Sequence, residues 1–98
     1  MELDQIIKVI DEKSSVADPI KTTIKVQIDD LSIYVDGTGD ANVVTSDDKD
    51  ANCTITMSME TFEALHYKTK SPMAAVLTGK AKIKGQMAAA AKLKDILG

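Results

Sequence analysis

Three stretches of this chain alternate apolar and polar residues with a period of two, and each has a single apolar face. Ile24, Val26 and Ile28 alternate with Lys25, Gln27 and Asp29. Leu31, Ile33 and Val35 alternate with Ser32, Tyr34 and Asp36, and Cys53, Ile55, Met57 and Met59 alternate with Thr54, Thr56 and Ser58. Successive side chains of a strand point to opposite faces, so these runs read as half-buried strands. A shorter run, Ala81 and Ile83 among Lys80, Lys82 and Lys84, reads the same way. Asp29-Asp30 is a short connection and Asp36-Gly37-Thr38-Gly39-Asp40 is rich in turn formers, which predicts a meander from Thr22 to about Ser46.

Strands with one apolar face need a cover on that face. Leu3, Ile6, Ile7 and Ile10 fall at i, i+3, i+4 and i+7, with Glu2, Asp4, Lys8 and Asp11 outside the stripe, and Ser14 to Pro19 ends that helix. The chain as a whole reads as a helix, four strands, two short helices, a strand and a final helix. The expected fold class is α+β: an open, mostly antiparallel five-stranded sheet with helices packed on one face.

The 98 residues carry neither an internal repeat nor a convincing linker, and are read as one domain, residues 1–98. A 44% hydrophobic content is that of a globular chain, and no run approaches the roughly 18 apolar residues of a membrane span. Met1-Glu2-Leu3-Asp4 is acidic where a secretory signal is basic, so a cytoplasmic location is expected. One cysteine forms no internal disulfide. Charge is segregated: Met1 to Glu60 holds thirteen Asp and Glu against five Lys, and Thr61 to Gly98 holds seven Lys against Glu63 and Asp95. Every cation is lysine, without the planar fork of arginine that reads bases and phosphates bidentately, so nucleic acid is not an expected partner. The lysines form either a solvated face or a patch that meets anionic lipid headgroups.

The most distinctive stretch is Pro72 to Leu93, where an apolar run meets Thr78-Gly79-Lys80, the lysine-alternating strand, Gly85-Gln86-Met87 and an alanine-rich helix. Gly79 and Gly85 each offer a positive φ or a close backbone approach, suited to a helix stop before the strand and a tight turn after it. Together with Thr54 to Ser58, Phe62 and Leu65, Pro72, Gly79-Lys80, Lys82-Ile83-Lys84, Gly85-Gln86-Met87 and Ala91-Lys92-Leu93, this stretch resembles the sterol carrier protein 2 domain family, the non-specific lipid-transfer protein domains. The resemblance covers roughly Cys53 to Leu97. Three positions depart from it: Lys68-Thr69 stands where the family usually has Gly-Lys, Met73 where a glutamine is frequent, and Val76 where a large aromatic is usual.

The resemblance implies a curved five-stranded sheet with helices on one side, a lipid held between the two layers, and no catalysis. The lining it implies here is Cys53, Ile55, Met57, Phe62, Leu65, Met73, Val76, Leu77, Ile83, Met87 and Ala91, with Lys80, Lys82, Lys84 and Lys92 meeting headgroups or an anionic membrane. Pliable methionines and the small side chains of Ala88 to Ala91 leave room that bulkier residues would fill, although the same residues also serve a close-packed core. Met73 to Leu77 and Lys92 to Leu97 are the candidate gate. Fatty acid or fatty acyl-CoA is favoured over sterol as cargo. The alternative is an accessory or dimerisation module of the same fold with a filled cavity, which a homodimer in solution would favour.

Other chemistries find little support. Cys53 lies mid-strand on the presumed inner face and His66 at a helix end, a poor start for a nucleophilic dyad. One His and one Cys do not close a zinc shell. Asp48-Lys49-Asp50-Ala51-Asn52 begins like a calcium loop, but Cys53 stands where its glycine belongs and Met59 where its glutamate belongs. Gly79-Lys80 lacks the upstream glycine of a phosphate loop, and Gly37-Thr38-Gly39 reads as a hairpin turn. No cofactor and no metal are expected.

Overall fold

A computed structural model describes residues 1–97, apart from the side chains of Ala90 and Leu93. The expectations that fall on those two side chains and on Gly98 therefore lie outside the described residues. In chain order the elements are α1 (Leu3–Ser15), β1 (Thr23–Ile28), β2 (Leu31–Asp36), β3 (Val43–Thr45), β4 (Cys53–Met57), α2 (Met59–His66), α3 (Pro72–Leu77), β5 (Ala81–Gly85), a 3-10 helix (Met87–Lys92) and α4 (Leu93–Ile96).

The five strands form one sheet in the order β3-β2-β1-β4-β5. β1, β2 and β3 make the antiparallel meander that the turn formers predict, and β5 pairs antiparallel with β4. The central pair, β1 with β4, is parallel, with Ile24 opposite Cys53, Val26 opposite Ile55 and Ile28 opposite Met57. That register puts the apolar residues of both strands on one face, where Ile33, Val35 and Ala81 join them. Ile6 and Ile10 of α1, Phe62 and Leu65 of α2, Ala75 of α3, and Ile96 and Leu97 at the C-terminal end cover it. The two layers are thus a half-polar sheet and a helical cover. Each Ile, Leu or Phe buried there contributes roughly 1.5–3 kcal/mol.

A parallel pair needs a crossover. Here residues 46–52 carry the chain from β3 across the outer sheet face to β4. Asp48 is ion-paired to Lys25 at 2.5 Å, and the Lys49 ammonium lies 4.5 Å from the centre of the Tyr34 ring. Lys25 and Tyr34 are cross-strand partners on that face. The acidic stretch that begins like a calcium loop is therefore a strap over the sheet.

Two local expectations are corrected. Met59 does not continue the apolar face of β4 but starts α2, because Ser58 caps the helix: its Oγ accepts from Thr61 N–H at 3.1 Å. The alanine-rich segment is not one helix but a 3-10 turn followed by a short α-helix, beginning with the tight bond from Ala89 N–H to Gln86 O at 3.1 Å.

Candidate functional site

The Pro72 to Leu93 stretch builds one concave site. Ser71 caps α3 by accepting from Ala74 N–H at 3.2 Å, and Pro72 occupies the first turn, where a missing N–H is harmless. α3 stops at Gly79, whose φ of 76° completes a Schellman motif: Gly79 N–H donates to Val76 O at 3.1 Å and Lys80 N–H to Ala75 O at 2.8 Å. The reversal sends β5 antiparallel to β4 and sets Ile83 opposite Ile55 on the inner face. Gly85, at φ 101°, then turns the chain where an added Cβ would collide with Asn52 O. The C-terminal segment then packs α4 against α1 and brings Ala91 and Lys94 to the side of α3.

Between α3, β5 and this C-terminal segment lies a cleft of about 270 Å³, walled by Ser71, Pro72, Met73, Val76, Ile83, Ala91 and Lys94. Apart from Ser71 at one end and Lys94, the walls are apolar. Such walls can receive an apolar chain.

Of the expected lining residues, Met73, Val76, Ile83 and Ala91 meet in this cleft. Cys53, Ile55, Met57, Phe62 and Leu65 face inward as expected but are packed into the closed core, outside the cleft walls. Leu77 and Met87 stand exposed at the surface and do not wall it. Of the expected gate segments, Ile96 and Leu97 are buried anchors. Lys80, Lys82, Lys84 and Lys92 are exposed, and among the described residues no carboxylate pairs with them. Lys82 and Lys84 project from the outer face of β5, since Ala81 and Ile83 take the inner one. Ser71, Pro72 and Lys94 escaped the sequence reading as lining. Lys94 was within its reach, three residues after Ala91 and so on the same face of a helical segment.

The loop between α2 and α3 keeps its turn without the family's glycine. Lys68 itself takes a φ of 61°, and Lys68 N–H donates to Leu65 O at 3.2 Å while Thr69 N–H donates to Ala64 O at 2.9 Å. This is a second Schellman ending, with a lysine in the left-handed position.

Cys53 is wholly buried between Ile24 and Gly85, and burial pushes its thiol pKa above the ordinary 9.0. A nucleophilic thiolate needs the opposite shift. His66 Nδ1 is buried without a hydrogen-bond partner among the described residues. No cluster of three or more His, Cys, Asp or Glu able to hold a metal occurs among the described residues. Nor, among those residues, is any helix long and apolar enough to cross a membrane.

Residues 3–98 match the SCP-2 sterol transfer family. The chain belongs to that family. Over 58 residues, 59% of its length, it is 41% identical to sterol carrier protein 2 of Homo sapiens, of which it spans only 11%. The solution structure of palmitated SCP2L2 from Aedes aegypti superposes with a TM-score of 0.76 at 22% identity, covering 99% of this chain and 95% of that one. The apo sterol carrier protein 2 of Yarrowia lipolytica gives 0.68 at 24% identity, covering 97% and 75%. At such identities the solved structures establish a shared α+β fold. Membership of the family places the chain, in general terms, among lipid-binding and lipid-transfer domains.

Proposed function

We propose that this domain binds a single acyl chain, as a fatty acid or fatty acyl-CoA ester, in the cleft between α3, β5 and the C-terminal segment, and exchanges it with membranes without making or breaking a bond. The observation that carries this is the cleft itself: an apolar trough with one cationic residue, Lys94, among those that line it. Each methylene taken from water gains about 0.8 kcal/mol, so a chain lying along Met73, Val76, Ile83 and Ala91 supplies the affinity. At about 270 Å³ the trough lies just under the roughly 300–1,000 Å³ of sites that enclose drug-sized ligands, which suits a flexible chain better than a rigid ring system. Val76 contributes, because the aromatic usual at its position would occupy that space. A domain of this fold from Aedes aegypti is described in a palmitated form. Lys94, together with exposed Lys92, would meet the carboxylate or phosphate left outside.

The test is titration of the delipidated protein with a fluorescent fatty acid, then displacement by unlabelled fatty acid, acyl-CoA and sterol. Saturable one-to-one binding, displaced by the acyl ligands and poorly by sterol, is expected. Absence of binding at tens of micromolar, near the roughly 8 kcal/mol of a micromolar complex, would transfer the reading to an accessory module with a filled core.

A further inference from the structure

We propose that Met73 is a reversible oxidation site that switches the cleft: a peroxide converts its thioether to the sulfoxide, and the cleft then gives up its acyl chain. This deepens the acyl-chain reading above and rests on it.

The chain carries five methionines and one cysteine. Cys53 is wholly buried, and burial pushes its thiol pKa up, which leaves little thiolate to react. Met57 is buried in the core, and Met1 and Met59 are half-buried against it. Met73 and Met87 are each 61% exposed, so an oxidant in water reaches both. Of these two, only Met73 walls the cleft, where it stands with Pro72, Val76, Ile83 and Ala91. The most accessible sulfur that a bound acyl chain would touch is therefore that of Met73.

The sulfur lone pair attacks one peroxide oxygen; the S–O bond forms as the O–O bond breaks, and the departing hydroxide takes the remaining hydroxyl proton and leaves as water. Sulfur loses two electrons and the peroxide gains them. In the reverse direction two thiols become a disulfide, and the oxygen leaves as water, in the reaction of methionine sulfoxide reductases. The sulfoxide is polar and chiral where the thioether was apolar and pliable. The side chains of Pro72, Val76, Ile83 and Ala91 offer its oxygen no hydrogen-bond donor. Turned inward, the sulfoxide sets an unmet acceptor against the acyl chain; turned outward, it takes the methionine out of the wall. Both lower affinity. The fold is spared, because Met73 is exposed and lies outside the buried core.

The delipidated full-length protein is treated with dilute hydrogen peroxide until mass spectrometry shows sulfoxide at Met73 and Met87, then titrated with a fluorescent fatty acid. Affinity about tenfold below that of the untreated protein is expected, with recovery after sulfoxide reductases of both epimer specificities and dithiothreitol. Met73→Gln, a fixed polar side chain of similar length, should bind weakly without peroxide. Met73→Leu, whatever its own starting affinity, should not respond to peroxide, whereas Met87→Leu should respond as the parent does. Saturating fatty acid should slow oxidation at Met73 relative to Met87. Undiminished binding by protein fully oxidised at Met73, or a peroxide response retained by Met73→Leu, would overturn the switch and leave the cargo reading intact. No binding by the untreated protein would sink the cargo reading, and the switch with it.

Discussion

Gln86 Oε1 accepts a hydrogen bond of 2.7 Å from Thr22 Oγ1, tying the start of the C-terminal segment to the entry of β1. The same residue donates its backbone N–H to Asn52 O at 2.7 Å, and Asn52 Nδ2 donates to Thr22 Oγ1 at 3.2 Å. Residues far apart in the chain thus fix the corner from which Ala91 and Lys94 are hung against α3. Gln86→Ala should cost about 1 kcal/mol, the usual contribution of one such bond, and lower Tm by about 4–8 °C. Hydrogen exchange over residues 87–97 should accelerate more than over β1. Uniform exchange with an unchanged Tm would show that the corner is held by packing alone.

Lys68 offers the opposite experiment. Its φ of 61° is a conformation that costs an L-residue roughly 1–2 kcal/mol and glycine almost nothing, while glycine loses about 0.5–1 kcal/mol through the freer unfolded chain. The balance favours glycine. Lys68→Gly should therefore stabilise the protein by up to about 1 kcal/mol in urea denaturation, with no change in fatty-acid affinity. A loss of stability would mean that the lysine stem packs usefully on the surface.

Sheet, order of elements and apolar face were legible because period-two alternation is a local property of the chain, and Gly79 announced the end of α3. The parallel pairing of β1 with β4 was not, since it depends on residues 46–52 crossing the sheet, and neither the ion pair of Asp48 with Lys25 nor the seat of Lys49 on Tyr34 has a local signature. Buried Asn42 was invisible for the same reason. It accepts from Ile20 N–H and donates to Ser14 O and Asp18 O, across as many as 28 positions. In the site, alternation told which residues of β4 and β5 face inward but not how far the helices stand from them. That distance closes the sheet centre over Cys53, Ile55 and Met57 and leaves a cleft beside Ile83.

The strap carries a pH dependence. Asp48 is held below the ordinary 3.8 by its bond to Lys25 and that charge, and Asp36 by its bonds to the Thr38 hydroxyl and N–H. A carboxylate depressed in the folded state stabilises it fully above the unfolded value, and that contribution is lost as pH falls below about 4. Both groups are exposed, so the effect is small and screened by salt. Asp48→Asn should flatten the loss of stability below pH 4 at low ionic strength while changing little at pH 7. An acid limb identical to that of the unmodified protein would mean that the strap is held by Lys49 on Tyr34.

Ala91 separates a cleft that binds from one that is incidental. Its side chain is exposed and forms the wall opposite Met73 and Val76, so a larger side chain there projects into the trough without disturbing the core. Ala91→Trp should weaken fatty-acid binding by about tenfold or more, equivalent to roughly 1.4 kcal/mol, or the removal of about two methylene burials. Its urea midpoint should stay within the error of the parent. Undiminished binding would place the acyl chain elsewhere, and the closed core beneath β4 would then have to open to admit it.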